Sequence, residues 1–251
     1  MTGRYAVYFV PADSSPLAKF GCSVFGRTAT GEPVDSPSDD HPDRLLLTRK
    51  PALYGFHATL QAPFELAPDQ SLASLELAVA ALAKTLSSIS LTGLAPQRTS
   101  DNISLYLPHS IPALQQLASR CVVELNPYRK PLSRDDQTRR HKSVQSERQK
   151  CSLERYGYAK VLDDFQFHMT LTRTPSGICS EKQTMNSAVI TLAHQNKAFS
   201  DVPADQGLLQ WLSRLYASRV SDSPILDRIS ICHQESRSAP FVRLSEWHFE
   251  R

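Results

Sequence analysis

The sequence predicts an α+β protein, and two observations predict it. Short β-type segments and helix-type apolar segments succeed one another without a fixed period, and the plan of the first half recurs loosely in the second. In each half the recurrence centres on a strand carrying His-x-Thr, at His57/Thr59 and at His168/Thr170, 111 residues apart. On this basis residues 1–251 read as one bilobed domain, with a first-motif lobe of about 1–127, a connector of about 128–155 and a second-motif lobe of about 156–251.

The elements follow in chain order. Residues 4 to 10 form a first strand ended by Pro11, and the stretch from Thr28 to Asp43, rich in Pro, Gly, Ser, Thr and Asp, is a surface loop. Gly55 to Pro63 is a strand closed by proline. Ser71 to Ala83 has helical spacing through Leu72, Leu75, Leu77, Val79 and Leu82, with Asp69 as its cap. Two β-type segments, Ser88 to Thr92 and Ile103 to Leu107, lead into a helix from about Ile111 to Leu125. Residues 129 to 155 hold nine Lys or Arg against four Asp or Glu and read as an exposed helical connector. The second half brings a strand from Phe165 to Thr172, a polar loop with Pro175 and Gly177, and a strand or helix near Ala188 to Ala193. A helix from about Asp205 to Arg219 and closing strands from Asp227 to Cys232 and Phe241 to Phe249 complete it.

Composition sets the outer limits. With 41% hydrophobic and 21% charged residues the chain is ordinary globular protein, and no apolar run approaches the ~20 residues of a membrane span. The N-terminus lacks a signal-peptide core, and the five cysteines, at 22, 121, 151, 179 and 232, never form Cys-x-x-Cys. Both features point to a reducing cytoplasm, with the thiols buried or incidental. The net charge of +3 is mild for a nucleic-acid binder and compatible with an anionic substrate. None of the eight histidines stands in a His-Glu-x-x-His or His-x-x-Glu-His arrangement, so neither metal nor cofactor is expected.

Strand geometry turns the two motifs into chemistry. Alternate side chains share a face, which puts His57, Thr59 and Gln61 together and, in the second strand, Gln166, His168, Thr170 and Thr172 together. On a helix an i,i+2 pair would sit about 200° apart and could not serve one ligand. Cleaving a phosphodiester needs one group to take a proton from the attacking oxygen and another to give one to the leaving oxygen. Two imidazoles with ordinary pKa values near 6.5 can do both, giving a bell-shaped rate profile with limbs between about pH 5 and 8. The threonine hydroxyls suit non-bridging phosphate oxygens.

At these residues the chain resembles the 2H phosphoesterase superfamily, whose members carry two hydrophobic-His-x-Ser/Thr-hydrophobic motifs flanking a cleft. Within it the chain is similar to the uncharacterised branch encoded with phosphonate-utilisation genes. That similarity is carried by Arg4-Tyr5-Ala6-Val7-Tyr8-Phe9, by Tyr54-Gly55-Phe56-His57-Ala58-Thr59-Leu60 and by Phe167-His168-Met169-Thr170-Leu171-Thr172. The resemblance implies two pseudo-symmetric lobes of antiparallel sheet with outer helices, as in LigT-like folds. It also implies His57 and His168 as acid and base, Thr59 and Thr170 as phosphate ligands, and no metal. The branch often has a lysine where this chain has Gln61 and a less basic residue in place of Arg173, so the phosphate-binding cation is sought among Arg4, Arg173 and Lys50. Tyr5, Tyr8 and Tyr54 are candidates to line the cleft.

The function expected from this is hydrolysis of a cyclic phosphodiester of a small sugar or nucleotide, within phosphonate metabolism. A small phosphorylated substrate is then the partner, with no membrane and with nucleic acid not favoured. Two alternatives stand beside it. One is an RNA-end 2′,3′-cyclic phosphodiesterase whose backbone is tracked by Arg134, Arg139, Arg140 and Arg148, and the other is a non-catalytic phosphate-ester sensor or scaffold. Nothing in the sequence fixes the oligomeric state.

Overall fold

The computed structural model describes residues 3–99, 102–142, 144–173 and 204–250. The loop around Pro175 and Gly177, the segment at 188–193 and Cys179 lie outside the described residues. Nine strands are described: β1 (Arg4–Phe9), β2 (Ala58–Phe64), β3 (Ile89–Ser90), β4 (Ala95–Arg98), β5 (Ile103–Tyr106), β6 (His168–Thr170), β7 (Ile225–Leu226), β8 (Arg228–Gln234) and β9 (Val242–His248). The helices are α1 (Pro16–Phe25), α2 (Arg44–Ala52), α3 (Leu72–Ala83), α4 (Pro112–Glu124), α5 (Arg134–His141), α6 (Glu147–Tyr156) and α7 (Ala204–Arg219). Every strand pairing is antiparallel. With helices flanking the sheets, the fold is α+β.

A four-stranded sheet has the order β2-β1-β8-β9 and a three-stranded sheet the order β4-β5-β6, with β3 and β7 forming a separate pair. Among the described residues each motif strand is therefore an edge strand, and the two edges, β2 and β6, approach one another. The lobes are not consecutive along the chain, which corrects the division at the connector. The first motif's sheet is completed by β8 and β9 from the C-terminal part, and the second motif's strand joins β4 and β5 from the first half.

Strand β1 shows how the sequence sorts its faces. Tyr5, Val7 and Phe9 enter the main core, while Ala6, Tyr8 and Val10 enter a smaller cluster with Cys232 and Phe241 on the other face, as a period of two requires. The main core joins both sheets to α1, α3, α4 and α7 through residues such as Phe20, Leu75, Leu117 and Leu212.

Several local expectations need correction. Helix α1, capped by the Ser15 hydroxyl accepting from the Ala18 N–H at 3.1 Å, and helix α2 were not marked by periodicity. Helix α2 anchors the preceding loop through Arg44, which is buried and binds Asp40, Ser36 and the Val24 carbonyl. Helix α3 is capped by Ser71 rather than Asp69, in a reciprocal box with Ser74. Strand β6 is only three residues long, shorter than the expected Phe165 to Thr172, and a 3-10 turn at Leu162–Asp164 precedes it. Cys151 is exposed, whereas Cys121 and Cys232 are buried.

The residue before His57 is fixed by close packing. Phe56 meets the Phe20 and Phe25 rings edge-on at 5.9 and 6.2 Å, and a Cβ placed on Gly21 would lie 2.1 Å from the Phe56 ring. Only glycine lets α1 come this close to the start of β2. Gly21→Ala is therefore expected to destabilise the fold by about 1–3 kcal/mol, as overpacking does. Urea unfolding checks this, and an unchanged midpoint would contradict it.

Candidate functional site

The site forms where the edges β2 and β6 meet. One cavity of about 570 Å³ is lined by Tyr8, Tyr54, His57, Thr59, Thr170 and several cations. An adjoining cavity of about 240 Å³ is lined by His168, Tyr106, Lys160 and Gln166. Thr59, Ala62 and Tyr158 belong to the walls of both, so the two cavities border one cleft.

The two histidines are set by the same local device. His57 Nδ1 lies 2.8 Å from the Gly55 carbonyl oxygen, and His168 Nδ1 lies 2.8 Å from the Gln166 carbonyl oxygen. A carbonyl only accepts, so each neutral ring carries its proton on Nδ1 and keeps Nε2 as the basic nitrogen. On His57 that nitrogen is 3.3 Å from the Thr59 hydroxyl, which can donate to it. An aromatic ring from the neighbouring strand lies against each imidazole. Tyr8 of β1 stacks on His57 at 3.8 Å, and Tyr106 of β5, opposite His168 in register, stacks on it at 5.8 Å.

The backbone before His57 is also held. Gly55 has φ +78, and a Cβ there would lie 3.2 Å from the Arg27 guanidinium. That guanidinium donates to the Ala52 carbonyl at 2.9 and 2.6 Å and to the Phe241 carbonyl at 3.0 Å. Arg27 thus ties the turn that presents the Gly55 carbonyl to His57.

Burial away from water lowers the pKa of His57 to about 4; the Gly55 carbonyl opposes this, and the charges of His168 and Arg27 add to it. His168 is also lowered, first by burial and then by Lys160, against the Gln166 carbonyl. Both rings are therefore neutral at pH 7 before any anion enters, which differs from the unperturbed pair expected from sequence.

The other predicted residues divide. Thr59, Thr170, Tyr54, Arg173, Arg4 and Lys50 line the larger cavity. Tyr5 does not. It is buried in the main core, because alternation along β1 sends Tyr5 and Tyr8 to opposite faces. Gln61 is also absent from the cleft. One step along β1, from Val7 to Tyr8, is matched by two along β2, from Gln61 to Thr59, so the strand carries a β-bulge there. The bulge turns Gln61 into the buried face and brings Ala62 and Pro63 to the cleft. Thr172 is likewise buried, its hydroxyl accepting from the Ile103 N–H at 3.0 Å.

In the sequence the connector has a part only in the RNA alternative, through Arg134, Arg139, Arg140 and Arg148. Arg139 and Arg140 of α5 line the larger cavity, with Arg237 and Tyr158, while Arg148 pairs with Asp164 at 2.8 Å. No pattern in the sequence distinguished Arg140 from its charged neighbours. Among the described residues no group of three or more His, Cys, Asp or Glu is arranged to hold a metal, and no helix is long and apolar enough to cross a membrane.

Comparison with known proteins gives a family model, "Protein of unknown function (DUF1045)", matching residues 59–204. The chain is 30% identical over 249 residues to ribose 1,5-bisphosphate phosphokinase PhnN of Janthinobacterium sp. (strain Marseille), covering 97% of this chain and 49% of that protein. It is 30% identical over 170 residues to the protein of the same name from Laribacter hongkongensis (strain HLHK9), covering 67% of this chain and 40% of that one. The chain spans half or less of the length of these curated relatives. Among solved structures, E. coli LigT complexed with phosphate is similar over 100% of both chains, at 12% identity and a TM-score of 0.44. The same protein complexed with 3′-AMP is similar over 100% of both at 14% identity and a TM-score of 0.42.

Histidine NMR titration checks the electrostatics of the site. His57 is expected as the Nδ1–H tautomer at pH 7, protonating near pH 4, and His168 below 6.5. Titration of His57 at its ordinary value would show that it is not held as described.

Proposed function

The chain belongs to the DUF1045 family, a family of unknown function, and we propose from its cleft that it is a phosphodiesterase that opens the cyclic phosphate of a small phosphorylated sugar. The observation that carries this is the doubled device: two imidazoles, each fixed through Nδ1 to the carbonyl two residues back, each paired with a threonine two residues on, bordering one cationic cleft.

The step balances without another reactant. His57, the more strongly depressed of the two, takes a proton on Nε2 from water as the water oxygen attacks phosphorus. The P–O bond to one ring oxygen breaks, and His168, protonated on both nitrogens, gives the Nε2 proton to that oxygen. Solvent then restores both rings. The Thr59 and Thr170 hydroxyls donate to the non-bridging oxygens, where charge builds up, and the cleft arginines offset it. The bound anionic phosphate favours the imidazolium form, which lets a histidine that is neutral in the free protein act as acid in the complex.

The curated relatives support ribose as the sugar. They are named for ribose 1,5-bisphosphate, and this chain matches about half of one of them. Breaking the P–O2 bond of ribose 1,2-cyclic phosphate bearing a 5-phosphate gives ribose 1,5-bisphosphate. A place in phosphonate metabolism follows from the sequence resemblance stated above. The RNA-end reading stays in view because Arg139, Arg140 and Arg237 also suit a neighbouring backbone phosphate.

A panel of ribose 1,2-cyclic phosphates, nucleoside 2′,3′-cyclic phosphates and a cyclic-ended oligonucleotide separates the readings. The sugar is expected to be turned over in EDTA, and His57→Ala and His168→Ala are each expected to lose at least about 10²-fold in rate. Preference for the oligonucleotide, with steep salt dependence, would favour the RNA reading. Full activity in both variants would end the mechanism. The profile of kcat/KM against pH reports the free protein. A depressed base stays neutral down to about pH 4, and a depressed acid loses its proton below 6.5, so the maximum is expected on the acid side of 6.5. The limbs belong to the coupled pair.

A further inference from the structure

The two cavities that border the cleft differ in charge. Arg4, Lys50, Arg139, Arg140, Arg173 and Arg237 line the larger one, and no Asp or Glu does among the described residues. Asp136 bears on Arg139, Arg140 and Arg237, and the wall stays positive with that carboxylate counted. The smaller cavity is balanced. Besides His168 its charged wall residues, among those described, are Lys160 and Asp164, and Asp164 is paired with Arg148 at 2.8 Å. One wall therefore suits a phosphate, and the other suits a part of the substrate that carries no charge.

The sheet register supplies the neutral wall. Ser104 pairs with Thr170 and Tyr106 with His168, so these side chains share the face of the three-stranded sheet that carries the motif. Asn102, two residues before Ser104, lines the smaller cavity together with Tyr106. Its side-chain oxygen accepts from the Thr99 hydroxyl at 2.9 Å and from the buried Ser104 hydroxyl at 3.1 Å. Those two bonds fix the amide and leave its nitrogen as the end with hydrogens to give. Among the described residues no protein group takes them, and none bonds the Tyr106 hydroxyl, whose ring is stacked on His168. Leu60, Ala118, Val122 and Val161, all buried, give the same cavity apolar surface. A five-carbon sugar, with hydroxyls on its rim and carbon on its faces, matches such a wall. A nucleobase matches it less well, because one face of Tyr106 is already taken by the imidazole.

We propose that the smaller cavity is the sugar subsite, in which the Asn102 amide nitrogen and the Tyr106 hydroxyl bond the sugar's free hydroxyls while the cyclic phosphate faces the cationic wall. The subsite rests on the phosphodiesterase reading above and deepens it. The oxygen that leaves phosphorus lies on this side, and it takes the His168 proton while it stays bonded to the sugar.

The test compares kcat/KM for ribose 1,2-cyclic phosphate and for ethylene phosphate, which has the same five-membered cyclic diester and no sugar. The wild-type protein is expected to favour the ribose compound by at least about 100-fold, as a site built to bind hydroxyl groups rejects a ligand that lacks them. Asn102→Ala and Tyr106→Phe, which keeps the ring on His168, are each expected to cut that preference at least about fivefold. A wild-type ratio near one, or a ratio that both variants leave unchanged, overturns the subsite and leaves the phosphodiesterase reading standing. A nucleoside 2′,3′-cyclic phosphate preferred over the ribose compound, with that preference lost in the same variants, gives the cavity to a base and likewise overturns it. If no cyclic phosphate is hydrolysed that reading falls, and calorimetry decides the subsite. Ribose 1-phosphate binding at least about tenfold tighter than inorganic phosphate, with the advantage lost in both variants, supports it, and equal affinity overturns it.

Discussion

The hydrogen bond from each motif histidine to the carbonyl two residues back is the constraint on which the site depends. It chooses the tautomer, fixes the plane of the ring and leaves Nε2 as the basic nitrogen. On the His57 side much of the surrounding structure serves this bond. Arg27 holds the Ala52 and Phe241 carbonyls, Gly55 takes a left-handed conformation that brings its own carbonyl round, and α1 clamps Phe56 through a glycine contact. The His168 side reaches the same end through the Gln166 carbonyl and the Tyr106 ring on the adjacent strand.

Burial and hydrogen bonding pull on the imidazoles in opposite directions. The carbonyl acceptor favours the protonated ring, while removal from water favours the neutral one, and burial wins at both histidines. A cleft walled by arginines with two neutral bases in it is poised for an anion, since an incoming phosphate screens the cations from one another and restores proton affinity to the rings.

The sequence exposed the alternation and the duplicated motif, and so the strand that begins just after His57, the strand that carries His168, the helices at α3 and α4 and the closing pair β8–β9 were legible. What it hid has physical causes. A β-bulge has no signature in the run Thr59-Leu60-Gln61-Ala62, yet it decides that Gln61 is buried and Ala62 meets the cleft. Tyr5 was ruled out by a rule already available, because residues three apart on a strand cannot share a face, and Tyr8 is the one beside His57. Arg140 could not be singled out from the connector's other arginines for another reason. A charged residue on a charged helix is ordinarily a solvated one, and only tertiary placement brings α5 against the end of β2.

The exchange of strands between the sheets bears on how the chain comes into being. Strand β1 lies between β2 and β8, so residues 4–9 wait for residues 228–234 before both of their edges are covered. These partners lie far apart along the chain. Pairing them costs a long loop closure before any contact rewards it. The cleft beside His57 is therefore complete only once a pairing between remote parts of the chain has been made.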